Sequence, residues 1–181
     1  MTNKALIAMS GGVDSSVAAF LTKDMGYDAT GITLKLFDNE DIGEKREKTC
    51  CSLDDIDDAR RVCLKLGIPY YVYNFKDSFK ENVIDRFIKA YENGTTPNPC
   101  IDCNRFIKFE KLIRRAEELD FDCVVTGHYS TIEYDKGADR YLLKKSVDST
   151  KDQSYVLYCL TQRQLAKNTS SSWHIYKGKG A

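Results

Sequence analysis

The stretch KALIAMSGGVDSSVAAFLTKDMG, residues 4–26, decides the fold. Its first six residues are a short apolar run that reads as a buried strand, and Ser10-Gly11-Gly12 makes a tight turn. DSSVAAFLTKDMG then sets Val17, Phe20 and Leu21 at helical spacing before Gly26 stops the helix. Strand, glycine loop and helix in that order open a nucleotide-binding α/β fold. Gly11 and Gly12 let the backbone approach an anion. The amides after Gly12 and the hydroxyls of Ser10, Ser15 and Ser16 are donors at a helix N-terminus, where the dipole favours negative charge. Asp14 beside a phosphate would be repelled unless a cation lay between them, so it points to Mg2+. The loop lacks the lysine of G-x-x-x-x-G-K-[ST] and is not G-x-G-x-x-G. A serine-capped helix without a ligand is the competing reading.

Outward from this unit, ATGITLKLF (29–37) alternates as a second strand, and an acidic, lysine-rich loop runs to about Lys48. Ser52 and Asp55 have capping-box spacing and open LDDIDDARRVCLKLG, with Leu53, Ile56, Val62, Cys63 and Leu66 on one face and Gly67 as the stop. IPYYVYNF (68–75) is a β-branched and aromatic strand, and DSFKENVIDRFIKAYENG is a helix stopped by Gly94. RFIKFEKLIRRAEELD (105–120) is a helix with Phe106, Phe109, Ile113 and Ala116 inward. DCVVTG is a buried strand, and STIEYDKGADRYLLKKSV is a hairpin around Asp135 to Arg140. Strands separated by helices give an α/β, Rossmann-like parallel sheet with helices on both faces, here with a C-terminal β-hairpin and helix. Ligands in such sheets bind at the carboxyl ends of strands, so the loops at Ser10 to Gly12, Leu34 to Phe37 and Gly127-His128 should share one crevice. Residues 1–165 are expected to form one domain, and the polar, serine- and glycine-rich 166–181 an unrelated or disordered tail. The sequon Asn168-Thr169-Ser170 has no consequence without secretion.

Net charge is zero, from 27 basic and 27 acidic residues, so a polyanion would have to be held by a local basic patch rather than a global field. Lys144, Lys145 and Lys151, with Lys108, Arg114 and Arg115, are candidates for phosphate contacts; a solvated face is the alternative. No window suits a membrane span, and the N-terminal apolar run is too short for a signal peptide, which places the chain in the cytoplasm. Seven cysteines, an odd number, then argue for buried thiols plus a reactive or metal-binding subset. Cys63 and Cys123 fall on core positions, Cys159 lies in a helix-like apolar run, and Cys50 and Cys51 read as structural or incidental.

The remaining pair, in PNPCIDCN (97–104), is a C-x-x-C between two predicted helices. Three readings stand: a catalytic thiol pair, ligands of a metal or iron–sulfur cluster, or structural loop residues. Arg105, Lys108 and the N-terminus of the following helix favour a reactive thiol at Cys103. His128, at a strand end in the expected crevice, reads as functional, with a core histidine as the alternative.

SGGVDSS after a first strand resembles the PP-loop of the ATP pyrophosphatase families. CCSLDDIDDARRVCLKLGIPYYV, NGTTPNPCIDCNRFIKF, TGHYSTI and KDQSYVLYCLT are similar, in that order, to the tRNA 2-thiouridylase family within them. The resemblance runs from Lys4 to about Gln164. It implies adenylation of the C2 oxygen of a tRNA wobble uridine by ATP with Mg2+, followed by sulfur transfer. Ala8, Met9, Ser10, Gly11, Gly12, Val13, Asp14, Ser15, Leu34 and Gly127 would hold ATP, with Asp14 reaching Mg2+ through it. Asn98, Pro99, Cys100, His128, Lys151, Asp152 and Gln153 would face the tRNA and its target base. Cys103 would be the nucleophile, with Cys100 as its partner. Family members often carry Asp where this chain has Cys100, and that departure is what leaves an iron–sulfur cluster open. The implied partners are tRNA and a protein that carries sulfide or persulfide. The family also implies a further cysteine, a central domain and a β-barrel beyond the stretch matched here. Two other classes remain open: an amide-forming PP-loop enzyme, which would not need Cys103, and a non-catalytic module that binds a nucleotide or a cluster.

Overall fold

A computed structural model describes residues 3–37 and 53–168. The expectations for Cys50, Cys51, Ser52, the acidic loop to Lys48 and residues 169–181 lie outside these residues.

Four parallel strands form one sheet: β1 (Lys4–Ala8), β2 (Asp28–Lys35), β3 (Tyr70–Asn74) and β4 (Cys123–Val125), in the order β3-β2-β1-β4. Between them come α1 (Val13–Asp24) and α2 (Leu53–Leu66). Segments Lys76–Phe79, Lys80–Ile84 and Asp85–Glu92 then run on as one helix, α3 (76–92), and Pro99–Asp102, Cys103–Lys111 and Leu112–Glu118 as another, α4 (99–118). Both carry π-helical turns in the middle, a departure from i→i−4 bonding that recurs at functional sites. After β4 come the antiparallel hairpin of β5 (Thr131–Asp135) and β6 (Arg140–Lys144) and the short α5 (Gln162–Lys167). The hairpin is therefore where the sequence put it, whereas the final helix lies after Cys159 and runs past residue 165.

The alternation of β1 sorts the core into two layers. Ala5, Ile7 and Met9 pack with Ala18 and Ala19 of α1 and Ala59 and Cys63 of α2. Leu6, with Ile32, Leu34 and Val124, packs on the other face against Val83 of α3 and Ile107, Phe109, Leu112 and Ile113 of α4. A period of two along a strand with both faces buried yields just such an unbroken apolar run. The α1 face is turned from the expected one: Ser15, Ala18, Ala19, Leu21 and Thr22 are buried, whereas Phe20 is 48% exposed. Small side chains let α1 sit close to the sheet, and Phe20 is left at the rim. At β3, Tyr71 and Val72 are also exposed because β3 is an edge strand.

Successive strands step from β1 outward to β3, after which the chain returns to the other side of β1 to lay down β4. The connection reverses between β1 and β4, the place where sheets of this kind form a ligand crevice at the strands' carboxyl ends. The loops leaving β1 and β4 form its two walls. At the far edge Asn168 pairs with Val124 in a parallel bridge, so the described chain returns to the sheet beyond residue 165.

Candidate active site

The loop leaving β1 is clamped at its root. Met9 N donates to Ile32 O at 2.7 Å, and Met9 O accepts from Thr33 Oγ1 at 2.9 Å. Ser15 Oγ then organises the loop: it accepts from Ser10 N and Ser10 Oγ, both at 3.2 Å, and donates to Gly12 O at 2.9 Å. Ser16 Oγ donates to the same carbonyl at 2.9 Å. The hydroxyls expected to face an anion thus hold the loop in shape. The amides of the first turn of α1 receive no side-chain capping bond from Gly12 at the N-cap, which leaves them facing outward as donors. Gly11 has φ +76°, and a Cβ there would lie 2.6 Å from Asp55 O, so the loop rests directly on the backbone of α2.

The opposite wall is Thr126 to Tyr129. Gly127 lies against the first turn of α1. The His128 ring is turned inward, with Nδ1 2.9 Å from Thr126 Oγ1 and its centroid 5.8 Å from that of Phe109. Burial, and secondarily the charge of Lys108, push its pKa down to about 3, so it is a neutral imidazole at physiological pH. The Tyr129 hydroxyl donates to Asp14 Oδ1 at 2.5 Å. Tyr129 N donates to Gln153 Oε1 at 3.0 Å, Gln153 N donates to Tyr129 O at 2.8 Å, and Lys151 Nζ sits 5.1 Å from the Tyr129 ring centroid. Asp152 holds the turn from inside, accepting from Ser146 N at 2.7 Å and Ser154 Oγ at 2.7 Å. Burial alone would raise its carboxyl, but these bonds bring it below the usual range.

The C-x-x-C is not in a loop. Asn98 caps α4, accepting from Cys100 N at 3.0 Å, and Pro99 takes the first helical position. Cys100 is exposed in the first turn and Cys103 half-buried at the head of the π-helical stretch, three residues on and so on the same side of the helix. The next residue, Asn104, is 2% exposed; its Nδ2 donates to Val156 O at 3.4 Å, and its Oδ1 has no hydrogen-bond partner. Val156 ends the short turn that follows Gln153. Through Asn104, the 151–156 segment and Tyr129, the thiol helix is tied to the phosphate loop.

Several expected site residues play a different part from the one their side chains suggested. Leu34 and Met9 are buried in the core at 6% and 3%, so only their backbone could meet a ligand. Lys144 pairs with Glu133, and Arg114 and Arg115 pair with Glu118, as on a solvated face. The segment around Cys159 forms a 3-10 turn, Ser154–Val156, rather than the helix-like run expected, and Cys159 is half-buried. Cys63 and Cys123 are core residues; burial pushes the Cys63 thiol up to about 11. Among the described residues no three His, Cys, Asp or Glu side chains are arranged to hold a metal ion, so Cys100 and Cys103 do not by themselves fit an iron–sulfur cluster. No helix among the described residues is long and apolar enough to cross a membrane. Sequence reasoning missed Tyr129, Asn104 and Thr126. Tyr129 had one usable signal, its place beside His128 at a strand end.

The chain is 56% identical over 165 residues to the tRNA-specific 2-thiouridylase MnmA of Clostridium beijerinckii, which covers 91% of this chain and 46% of that protein. It is 53% identical over 177 residues to the enzyme of the same name from Clostridium kluyveri, covering 98% and 49%. It therefore spans about half the length of the curated relatives it matches. Among solved structures, NMN synthetase from Francisella tularensis superposes with a TM-score of 0.47 at 20% identity, covering 68% of this chain and 44% of that one, too distant to bear on function. The family described as tRNA methyl transferase HUP domain matches residues 3–178, nearly the whole chain, and the chain belongs to that family.

Proposed function

We propose that this chain is the ATP-dependent, sulfur-transferring part of a tRNA uridine 2-sulfurtransferase, and that residues 3–168 act as its nucleotide-binding unit. The observation that carries the reading is the half-exposed Cys103 on α4, whose neighbour Asn104 is bonded to the segment that Tyr129 ties to Asp14 of the phosphate loop. The 2-thiouridylase relatives supply the substrate class.

The first-turn amides of α1 would bind the ATP phosphates, and the backbone of Ala8 to Ser15, Leu34 and Gly127 would shape the nucleotide pocket. Mg2+ bound with ATP would neutralise phosphate charge beside Asp14. The uridine C2 oxygen attacks the α-phosphorus and pyrophosphate leaves, which turns a poor leaving group into AMP. A sulfur-carrier protein delivers a persulfide to Cys103, and its terminal sulfur attacks C2 as AMP departs with the oxygen. The Cys100 thiolate then attacks Cys103 Sγ, expels the 2-thiouridine and leaves a Cys100–Cys103 disulfide, which an external thiol reduces. Cys100 and Cys103 share one side of α4, as this exchange requires. Asn98 and Pro99 fix the helix start that presents the thiols to the base. Lys151 meets tRNA phosphate, Asp152 and Gln153 hold its turn, and His128 positions Tyr129 by anchoring the loop inward.

The test is tRNA-dependent pyrophosphate release by this chain with ATP and Mg2+, followed by mass spectrometry of the tRNA nucleosides after a persulfide donor is added. Pyrophosphate release and 2-thiouridine are expected, with Cys103→Ser keeping the first and losing the second. Absence of tRNA-dependent pyrophosphate release would overturn the reading. Transfer to an amine that is indifferent to Cys103→Ser would favour the amide-forming class.

A further inference from the structure

Asp14 is the one carboxylate of the phosphate loop, and it stands exposed in the first turn of α1. Its backbone is fixed, because Gly127 packs against Asp14 C and Ser15 N without room for a Cβ. Its side chain is fixed from across the crevice. The Tyr129 hydroxyl donates to Oδ1 at 2.5 Å, the short distance typical of a hydroxyl on an ionised carboxylate. The donor is itself held: Gln153 bonds both the amide and the carbonyl of Tyr129, and Lys151 rests on the ring face.

We propose that Tyr129 is the positioning residue of Asp14: by holding Oδ1 it presents Oδ2 to the divalent cation of a magnesium–nucleotide. The inference rests on the nucleotide reading above. A carboxylate that ligates a metal has two soft torsions, and a hydrogen bond to its other oxygen removes the orientational freedom that metal binding would otherwise have to freeze out. The loop amides account for binding of the phosphates, so Tyr129 governs the cation's share of the affinity and leaves the phosphate share alone. The clamp comes from the 151–153 turn, the segment read as facing tRNA. Displacement of that turn would therefore alter the metal requirement of the nucleotide site.

The experiment is calorimetric titration of ATP into the chain over a series of Mg2+ concentrations and in EDTA, with no turnover involved. Tyr129→Phe keeps the ring and removes only the hydroxyl, which is on the surface; an unchanged thermal midpoint would show that the fold is intact. The Mg2+ concentration for half-maximal enhancement of binding is expected to rise about tenfold, with binding in EDTA unchanged. Gln153→Ala, which removes the side-chain bond to the Tyr129 amide and keeps the hydroxyl, should shift the midpoint in the same direction by less. In an Asp14→Asn background Tyr129→Phe should add nothing, which isolates the pair. An unchanged Mg2+ midpoint, or an equal loss with and without Mg2+, would overturn the inference and leave the nucleotide reading intact. Failure of the wild-type chain to bind ATP at any Mg2+ concentration would overturn that reading, and this inference with it.

Discussion

Gly127 and Ser15 touch across the crevice: a Cβ on Gly127 would lie 2.9 Å from the Ser15 amide nitrogen. The loop leaving β4 is thus pressed onto the turn that begins α1, and the amides proposed to bind phosphate owe their placement to the absence of a side chain far away in sequence. Gly127→Ala must push the two walls apart, and backbone atoms are the obstacle, so no rotamer change relieves the contact. Nucleotide affinity should fall about tenfold or more, with a stability loss of roughly 1–3 kcal/mol. Titration of ATP and a urea melt of the same variant would check both.

The two thiols divide the proposed sulfur transfer. Cys103→Ser should leave ATP binding and pyrophosphate release unchanged and abolish 2-thiouridine. Cys100→Ser should allow the sulfur to reach the uridine but trap it as a mixed disulfide, detectable as a protein–tRNA adduct that a thiol reductant resolves. If Cys100→Ser gives free 2-thiouridine at the wild-type rate without reductant, Cys100 is not the resolving thiol.

The parts of this site that could be read from sequence are those set by local chemistry. Residues 4–26 contain strand, glycine turn and helix in order, and Asp135 with Gly137 marks the hairpin turn, where Asp135 Oδ1 accepts from Gly137 N at 2.8 Å. The helix start at Pro99 is also legible in the chain as an Asn cap followed by Pro, although the C-x-x-C spacing alone is equally compatible with a loop. Phe20 lies outside the buried face: periodicity gives a face and not its width, and with Ala18 and Ala19 at the contact, the inner face of α1 is narrow. Tyr129 carries only its place beside His128 as a signal; its role depends on a hydroxyl meeting a carboxylate 115 residues away, which no local pattern encodes.

Asn104 is buried with Oδ1 unsatisfied and one long bond from Nδ2. An unpartnered buried acceptor costs about 1–3 kcal/mol, and a bond at 3.4 Å returns little of that. Asn104→Leu, of similar size and without the polar atoms, should therefore be as stable as wild type or more so by thermal melt. Sulfur transfer should nevertheless decline, because the link from α4 to Val156 is gone. A variant that is both less stable and fully active would show that Asn104 is kept for folding.

His128 gives the chain an acid-side weakness whose sign can be worked out. Its folded pKa, about 3, lies below the ordinary 6.5 because the ring is buried and Lys108 is near. Between these values the unfolded chain binds the extra proton and the folded chain does not, so stability rises with pH there. The contribution is complete above the ordinary value and is lost as pH falls towards the folded one, at up to about 1.4 kcal/mol per unit. The Phe109 ring and the Thr126 hydroxyl around the imidazole offer no anion to offset a charge. Urea unfolding from about pH 7 to pH 4 should show a steeper loss for wild type than for His128→Gln, even if the variant starts less stable. Parallel slopes would mean that the imidazole takes up its proton in the folded protein, against the burial described here.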